Sequence, residues 1–359
     1  MYKECIQLTR QFTFCPNAFR VDLYKGCDFG CQYCFANMVW CQHKKTGSNY
    51  DIGDINKIKR LFYNALETDK TSKDIIVEML RHNIPIHCGG MSDPFQAREK
   101  KYGLTKQFIK LSNQYNYPVQ FSTKAKEFPD NSYWEIINPD IHAFQVSIMG
   151  YDDDYTRKWE CNTPTAKERL KFVQKLKNKG FWCGVRIQPI IDIEQAEKLC
   201  NHINNVDYVT LEHFKTVTDI MEIRDAIIRL YSDARQLTIS NGKIEVRKDI
   251  KIANIKRLKK ILNDKGISVG VGDNDLHYMT DGRCCCGIDR IDSFKNYLKY
   301  NLTYFCTGEH TENEWIMKCN PRKHINDQKY GLKIDCKQYI DDYIELHKDY
   351  MHKKQGGLF

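Results

Sequence analysis

The amino-acid sequence predicts an α/β fold in which a parallel sheet curves into a partial barrel. Short apolar runs alternate with amphipathic segments from about residue 18 to residue 272. Two of the amphipathic segments end in a glycine directly before an apolar run, at Gly180 and Gly266, as helices that lead into strands do. Strand and helix alternate over six or seven repeats, which indicates βαβ units. We therefore predict a partial (β/α)6-type TIM-like barrel over residues 1–272.

The predicted strands are seven short apolar runs, and the predicted helices lie between them. The strands are Phe19–Leu23, Ile84–Cys88, Val119–Ser122, Ala143–Ile148, Trp182–Ile187, Tyr208–Leu211 and Ile267–Val271. The helices are Asn56–Leu66, Thr105–Tyr115, Thr165–Lys179, Glu194–His202 and Ile250–Lys265. In a parallel barrel the chemistry gathers at the C-terminal ends of the strands, so residues that follow these runs are the first candidates for a site.

The alternation ends after about residue 272, and a different kind of segment follows. Residues 273–292 are rich in turns and contain three consecutive cysteines, and a helical pattern follows at Ser293–Tyr300. We predict that residues 273–359 form a cysteine-containing C-terminal appendage over the barrel mouth, with a metal site as one interpretation of its cysteines.

Composition favours a cytoplasmic protein. The chain has 359 residues, of which 16 are cysteines and 42% are hydrophobic. The N-terminal segment lacks the apolar core of a secretion signal, and the chain has no run of about 18 apolar residues, so we expect no membrane partner. Many cysteines without a signal indicate metal chemistry in a reducing compartment rather than a disulfide scaffold.

The net charge of +9 favours a polyanionic partner such as nucleic acid, but only weakly, because 55 basic residues face 46 acidic ones. The densest basic stretch is Lys243–Lys265, with nine Lys and Arg against three acids and an apolar face at helical spacing. Two interpretations are open: the solvated outer face of a barrel helix, or a contact with nucleic acid.

Three cysteines, Cys27, Cys31 and Cys34, lie on one short predicted loop after the first strand. Their spacing suits three corners of a [4Fe–4S] cluster, which takes four cysteines when the protein ligates every iron. A loop that supplies three leaves one iron open to a ligand other than protein. Two alternatives stay open: Cys41 closes the cluster, or the loop is a zinc knuckle, although no second CxxC-like half lies nearby.

The segment from Val21 to Ala36, VDLYKGCDFGCQYCFA, resembles the signature of the radical S-adenosylmethionine (SAM) enzymes, and among them the spore photoproduct lyase-like branch. The resemblance implies that Cys27, Cys31 and Cys34 hold a [4Fe–4S] cluster whose open iron binds the amino and carboxylate groups of SAM. It also implies reductive cleavage of SAM to a 5′-deoxyadenosyl radical and hydrogen abstraction from a substrate. An external one-electron donor such as flavodoxin or ferredoxin is implied as well. The resemblance spans roughly residues 15 to 213.

The segment after the second predicted strand resembles the one that holds the methionine moiety of SAM in this family. Paired glycines, Gly89 and Gly90, let the polar group of a ligand approach the backbone closely. By resemblance, Ser92 is a direct SAM ligand and Asp93 organises the loop.

Residues at the ends of the next three strands resemble further SAM contacts. The third strand ends in an aromatic-x-Thr-Lys pattern, in which Lys124 is placed on the SAM carboxylate. Ser147 resembles a rim serine that hydrogen-bonds SAM, and Arg186 is expected to point toward the same end of the barrel.

Gly90 is a departure from the pattern of the branch. The lyase that gives the branch its name carries a cysteine at that position, which donates a hydrogen atom to the product radical. Cys88 lies two residues earlier and would point to the same side of an extended strand. Either Cys88 is the hydrogen-atom donor, or it is a small buried hydrophobic residue and the radical is quenched differently.

The second cysteine group consists of Cys284, Cys285, Cys286, Cys306 and Cys319. Neighbouring side chains diverge, so three consecutive cysteines do not all ligate one ion. Cys284 and Cys286 with Cys306 and Cys319 would make a four-thiolate site for an auxiliary iron–sulfur cluster or a zinc ion. A redox-active thiol and simple burial are the other interpretations.

The leading hypothesis is a radical SAM enzyme, by type a lyase or an oxidoreductase, that acts on a nucleic-acid base or lesion. This substrate agrees with the resemblance and with the basic helix. Modification of a peptide or small metabolite is the alternative, favoured by Gly90 and by the cysteines of the appendage. A non-enzymatic iron–sulfur or zinc regulatory protein is a further alternative, in which the polypeptide would ligate every iron.

Overall fold

The computed structural model describes residues 5–9, 17, 19–34, 36, 51–68, 74–217, 228, 234–240, 243–282 and 284–294. Its strands are β1 (Ile6–Leu8), β2 (Phe19–Val21), β3 (Tyr24–Lys25), β4 (Asp51–Ile52), β5 (Ile86–Cys88), β6 (Val119–Thr123), β7 (His142–Ser147), β8 (Cys183–Ile190), β9 (Tyr208–His213), β10 (Lys215–Val217), β11 (Leu237–Ser240), β12 (Lys243–Val246) and β13 (Val269–Val271). Its helices are α1 (Ile55–Leu66), α2 (Ile75–Arg81), α3 (Glu99–Tyr102), α4 (Leu104–Gln114), α5 (Tyr133–Ile136), α6 (Asp153–Trp159), α7 (Ala166–Asn178), α8 (Ile193–His202) and α9 (Lys248–Asn263).

Eight strands form the central sheet, in the order β1-β2-β5-β6-β7-β8-β9-β13. Every neighbouring pair is parallel except β1 and β2, which are antiparallel. From β2 onward the strands of this sheet follow chain order, as in the wall of a TIM barrel. All seven predicted strands are present at their predicted places, so the predicted α/β fold is confirmed. The two small sheets, β10-β12-β11 and β3-β4, were not predicted.

Side chains of the barrel strands alternate between an apolar outer face and a polar inner face. In β6, Val119 and Phe121 belong to the hydrophobic core beneath the helices, whereas Gln120 and Ser122 line an interior cavity. In β5 the inward residue is His87. The strand period of two therefore fills the outside with apolar packing and leaves hydrogen-bonding groups inside.

Helix α7 shows how the local sequence sets the ends of an element. The hydroxyl of Thr165 accepts a hydrogen bond from the backbone N–H of Glu168, whose carboxylate accepts one from the backbone N–H of Thr165. Its buried side includes Phe172 and Leu176. The chain then turns at Gly180, whose φ of +85° favours glycine. The predicted helix is confirmed to within one residue at each end.

Residues 284–294 pack at the amino-terminal end of the barrel strands. Four of their apolar side chains form a cluster with Ala143, the second residue of β7; they are those of Cys284, Cys286, Ile288 and Phe294. The cysteine loop lies at the other end of the strands. The appendage was expected over the barrel mouth; residues 284–294 lie at the opposite end, whereas Asp273 and Asp275 line the cavity at the carboxyl ends of the strands, so the expectation for the appendage as a whole stays a prediction. Residues 295–359 lie outside the described residues.

Inward-facing polar side chains hold the backbone of the cysteine triplet 284–286. The hydroxyl of Tyr208 donates to the carbonyl of Cys284 at 3.0 Å, and the hydroxyl of Thr210 donates to that of Cys285 at 2.7 Å. Gly270 lies so close that a Cβ atom there would stand 2.2 Å from the Cys285 carbonyl oxygen. The triplet is thus fixed through its main chain, and the barrel wall is shaped to admit it.

The basic stretch predicted as a helix forms α9, with its charges largely neutralised. Lys259 pairs with Asp281 at 2.6 Å, Lys260 pairs with Asp264 at 2.7 Å, and Arg257 pairs with Glu197. The carboxylates that balance this helix come mostly from outside its own sequence.

No helix among the described residues is both long enough and apolar enough to cross a bilayer.

Candidate active site

A cavity of about 670 Å³ opens at the carboxyl ends of the barrel strands. All three motif cysteines line it, and so do the predicted contact residues from the ends of four successive strands: Gly89, Gly90, Ser92, Asp93, Lys124, Ser147 and Arg186. The structure therefore brings together in one cavity residues that lie up to 159 positions apart, from Cys27 to Arg186.

The cysteine loop follows β3 and is fastened to its surroundings by its backbone. The N–H of Gln32 donates to the carbonyl of Trp159 at 2.8 Å, and the amide of Asn162 donates to the carbonyl of Asp28 at 3.2 Å. Asp28 also pairs with Arg98 at 3.1 Å. The segment after helix α6 thus holds the loop from outside, while its thiols line the cavity.

Burial keeps the thiols of Cys27 and Cys31 protonated when no metal is bound. It raises the pKa of Cys27 to about 12, with the charge of Asp93 as a second cause. Burial also raises the pKa of Cys31 well above its ordinary value, against the opposing effect of Lys124. Iron binding at this loop must therefore release protons.

Among the described residues, no three His, Cys, Asp or Glu side chains are placed to hold a single metal ion. A zinc knuckle at the loop needs such convergence on one ion. A cubane does not, because each of its cysteines binds a different iron. Which of the two the loop holds stays a prediction.

Asp22, directly after β2, organises the loop that follows β5, and the sequence analysis missed it. Its carboxylate accepts a hydrogen bond from the backbone N–H of Met91 at 2.6 Å and from Arg20 Nε at 2.7 Å. It also accepts a longer one, at 3.4 Å, from the N–H of Ser92. The acidic residue in the segment VDLY was the available signal, since it lies at the end of a strand on the rim.

Asp93 fixes the other half of the same loop. Its carboxylate accepts hydrogen bonds from the N–H of Lys124 at 2.6 Å, from the hydroxyl of Thr123 at 2.8 Å and from the N–H of Phe95 at 2.9 Å. Burial raises its pKa, although these hydrogen bonds oppose the shift. The position of Asp93 agrees with the predicted organising role, which the geometry extends from its own loop to the end of β6.

The hydroxyl of Ser92 is buried in this loop and has no hydrogen-bond partner among the described residues. A buried hydroxyl without a partner is destabilising by about 1–3 kcal/mol, so its retention beside a cavity indicates that a polar ligand completes it. Gly89 has φ +102°, and a Cβ there would stand 2.4 Å from the carbonyl oxygen of Ser122. Only glycine fits where the loop crosses so close to β6.

Lys124 takes part in a buried ionic network that the sequence analysis did not foresee. Its ammonium donates to the hydroxyl of Tyr33 at 2.9 Å and pairs with Glu160 at 2.9 Å. Glu160 is fully buried, pairs with Arg169 at 2.7 Å and accepts a hydrogen bond from Tyr33. Burial alone would raise the pKa of Glu160, but Arg169 and Lys124 lower it to about 2. Nothing in the local sequence around Glu160 indicates this role.

The network connects Lys124 to the cysteine loop through Tyr33, which lies between Cys31 and Cys34. The ammonium is thereby fixed at the cavity wall near the thiols. Its predicted contact with a SAM carboxylate stays a prediction.

The other predicted contacts from the strand ends also lie at the cavity wall. Arg186 pairs with Glu212 at 3.1 Å, and Glu212 also pairs with Lys215 at 2.7 Å. Ser147 is buried, and its carbonyl accepts a hydrogen bond from Arg169 at 2.7 Å. Their roles toward SAM stay predictions.

Cys88 does not reach the cavity. It is 1% exposed and packs in the hydrophobic core, on the face of β5 opposite to His87. The extended conformation ends at Gly89, so Cys88 and Gly90 do not share a side as predicted. The structure thus contradicts the assignment of Cys88 as hydrogen-atom donor. A Cβ at Gly90 would instead stand 2.7 Å from Cδ of Arg20, which occupies the space of a side chain there.

His87 is an inward-facing residue that the sequence analysis missed as a site residue. Its Nε2 lies 2.7 Å from the hydroxyl of Ser122. Burial, together with the charges of Arg186 and Arg20, lowers its pKa to about 3. The cavity therefore holds a neutral imidazole near the guanidinium groups of Arg186 and Arg20 at physiological pH.

The second cysteine group lies at the deep end of the cavity, which Cys285 and Cys286 line. The thiols of Cys284 and Cys286 are 3.9 Å apart, and Cys284 donates to Asp289 at 3.0 Å. The predicted partners Cys306 and Cys319 lie outside the described residues, so the auxiliary metal site stays a prediction.

Known proteins resemble this chain in two ways, in sequence and in fold. No protein-family model matches the chain. Two proteins named only as uncharacterized, from Mycobacterium bovis and Mycobacterium tuberculosis, are each 23% identical over 188 residues, which is 49% of this chain and 50% of theirs. The chain thus spans about half the length of the curated relatives that it matches.

Solved structures with a similar fold include two mutants of spore photoproduct lyase. One, with bound AdoMet and dinucleoside spore photoproduct, matches over 72% of this chain and 78% of its own, with a TM-score of 0.51 and 15% identity. The other matches over 72% of this chain and 79% of its own, with a TM-score of 0.50 and 16% identity. The chain therefore shares the fold of spore photoproduct lyase.

Proposed function

We propose that this protein is a radical SAM enzyme. The proposal rests mainly on one observation. The three motif cysteines line one cavity at the carboxyl rim of the barrel together with Ser92, whose hydroxyl has no hydrogen-bond partner among the described residues. An iron–sulfur cluster with an open iron would bind to the cysteines, and a polar, charged ligand would bind to the hydroxyl.

The residues present suit both groups. Cys27, Cys31 and Cys34 would hold a [4Fe–4S] cluster, and Ser92 and Lys124 would hold the methionine part of SAM. When bound, the pair supplies a 5′-deoxyadenosyl radical that takes a hydrogen atom from the substrate. The protein would orient the ligand through the loop that Asp22 and Asp93 fix, and the buried network around Glu160 holds the ammonium of Lys124 at the cavity wall.

For the substrate we propose a nucleic-acid base or lesion. The neutral His87 and the guanidinium groups of Arg20 and Arg186, which also pair with Asp22 and Glu212, line the cavity and would offer hydrogen bonds to a base or its phosphate. A solved relative in fold holds a dinucleoside spore photoproduct, which supports the same class.

Modification of a peptide or small metabolite is the second candidate, and Gly90 favours it. Arg20 fills the space where the branch pattern has a cysteine, so the radical is not quenched there by a thiol. Whether the reaction is of lyase or oxidoreductase type follows from this quenching step. In either case a one-electron donor such as flavodoxin or ferredoxin delivers the reducing electron.

The test is anaerobic reconstitution with iron and sulfide, reduction with dithionite and addition of SAM. We expect formation of 5′-deoxyadenosine, and we expect the electron paramagnetic resonance spectrum of the reduced cluster to change when SAM is added. Cys31→Ala is the inactive control. An iron–sulfur spectrum that SAM leaves unchanged, without 5′-deoxyadenosine, would overturn the proposal in favour of a regulatory iron–sulfur protein.

A further inference from the structure

A row of four lysines runs along the outer face of helix α7. Lys167, Lys171, Lys175 and Lys179 recur every four residues, and all four line a surface cavity of about 660 Å³. With a rise of about 1.5 Å per residue, their Cα atoms follow one another at about 6 Å along the helix axis. All four side chains are exposed. We call this set the lysine row.

The lysine row is not balanced by acids. In the part of the chain that the structure describes, no carboxylate is ion-paired with any of the four ammonium groups. The single acid of α7, Glu168, pairs with Lys126 at 2.7 Å. Asp152, whose pKa Lys167 helps to lower, is already paired with Lys198 at 2.6 Å. Four positive charges therefore stand along one line of the surface.

Aromatic rings flank the row at both ends. The ammonium of Lys175 lies 4.7 Å from the ring centre of Trp134, and that of Lys179 lies 5.8 Å from it. At the other end, Lys167 lies 5.7 Å from the ring of Tyr151, on which the exposed imidazole of His202 is stacked at 3.7 Å. These contacts hold the lysine side chains in place without removing their charge.

The lining beside the lysines is partly polar and partly apolar, since Leu170 and the ring of Tyr151, both half-buried, line the cavity as well. Side-chain amides of Gln174, Asn178 and Asn204 border the same cavity. A lipid surface would be met by apolar side chains that enter it, whereas a phosphate backbone is met by cations and amides. The combination of a linear cationic track with neighbouring rings is the one that binds single-stranded nucleic acid.

Helix α9 gives the opposite case within the same molecule. It has more basic residues in its neighbourhood than α7, but Arg257, Lys259 and Lys260 are each paired with a carboxylate. The sequence left open a nucleic-acid contact at α9 beside a solvated helix face, because basic density is visible in the sequence and neutralisation by distant acids is not.

We propose that the lysine row binds the phosphate backbone of a single-stranded nucleic acid. The row lies on the outer side of the barrel wall, and none of its four lysines lines the cavity that the motif cysteines line. The inference therefore does not depend on the proposed radical chemistry, and its failure would leave that function untouched.

The experiment measures binding of a fluorescein-labelled, mixed-sequence single-stranded DNA by fluorescence anisotropy over a range of salt concentrations. The test variant changes all four lysines of the row to glutamine. We expect affinity at low salt to fall at least about tenfold and the slope of log K against log salt to decrease by about 2.8, or 0.7 for each lost phosphate contact.

The matched control removes four exposed charges from α9 instead, those of the ion-paired Arg257 and Lys260 and of two lysines outside any row, with Lys248→Gln, Lys256→Gln, Arg257→Gln and Lys260→Gln. It has the same net charge as the test variant, and we expect its affinity to stay within about twofold of the unmodified protein. Both variants alter exposed residues, and their thermal unfolding midpoints show whether each is folded.

Two results would overturn the proposal. Equal losses of affinity in both variants would show that net charge, rather than the row, attracts the DNA. Binding to phosphatidylserine vesicles that depends on the row, without binding to DNA, would assign the surface to a membrane.

Discussion

The cysteine loop and the cysteine triplet lie at opposite ends of one barrel and differ in what is held fixed. At the carboxyl rim, Cys27, Cys31 and Cys34 line the cavity, and contacts from outside hold the loop backbone. At the amino-terminal end of the strands, which we call the floor, the hydroxyls of Tyr208 and Thr210 donate to the carbonyls of Cys284 and Cys285. The thiols of Cys284 and Cys286 pack there in an apolar cluster. All three thiols of the loop thus line the cavity, whereas two of the three thiols of the triplet take part in apolar packing.

The largest expected difference between the two groups is in iron content. We expect Cys31→Ala to lose at least about tenfold in iron after anaerobic reconstitution, because even residues that only support a metal ligand cost 10–100-fold in affinity. The matched change at the floor, Cys284→Ser, should leave the iron per chain unchanged, as measured by colorimetric assay. Equal loss in both variants would place iron at the triplet and contradict the contrast.

The rim is further distinguished by the buried charge of Glu160. Replacing it by glutamine leaves Arg169 and Lys124 without their common partner, and we expect a loss of about 4 kcal/mol in the free energy of unfolding at pH 7. The folded pKa of about 2 is below the ordinary 4.5, so this contribution is complete above pH 4.5 and is lost as pH falls toward 2. Urea unfolding of both proteins across that range should show the difference shrinking with acid. A difference that is constant with pH would contradict it.

The sequence revealed the strands and the cysteine loop because both are written in local patterns. Apolar runs ended by glycines placed the barrel, and the spacing of Cys27, Cys31 and Cys34 placed the rim. The roles of Asp22 and Glu160 were not predicted, because the fold alone brings their partners, Met91 and Arg169, next to them.

The hydrogen bonds that hold the triplet at the floor could not be predicted for a related reason. Every residue has a backbone carbonyl, so the sequence does not indicate that those of Cys284 and Cys285 accept from Tyr208 and Thr210; only the placement of the strands does. The error at Cys88 arose from one torsion, since the strand alternation was continued through Gly89 although its φ of +102° ends it.

Two Gly→Ala substitutions compare how closely the floor and the rim are packed, through the loss in the free energy of unfolding that each causes. A methyl group at Gly270 would stand 2.2 Å from the Cys285 carbonyl oxygen, and we expect Gly270→Ala to cost about 3 kcal/mol. At Gly90 the methyl would meet Cδ of Arg20, a flexible side chain, and we expect about 1 kcal/mol. Chemical denaturation of both variants measures the order, and a larger cost at Gly90 would reverse the picture of a rigid floor and an adaptable rim.

The smallest expected effect on the free energy of unfolding distinguishes the hydroxyl of Ser92, which is proposed to contact a ligand, from that of Thr210, which stabilises the fold. Thr210→Val removes the hydrogen bond to the Cys285 carbonyl, and we expect a loss of about 1–2 kcal/mol in the free energy of unfolding. Ser92→Ala removes a buried hydroxyl that has no partner among the described residues, so we expect no loss in the ligand-free protein, within about 0.5 kcal/mol. Urea unfolding without SAM measures both. If Ser92→Ala were as costly as Thr210→Val, the hydroxyl of Ser92 would already be satisfied within the protein, and its assignment as a ligand contact would fail.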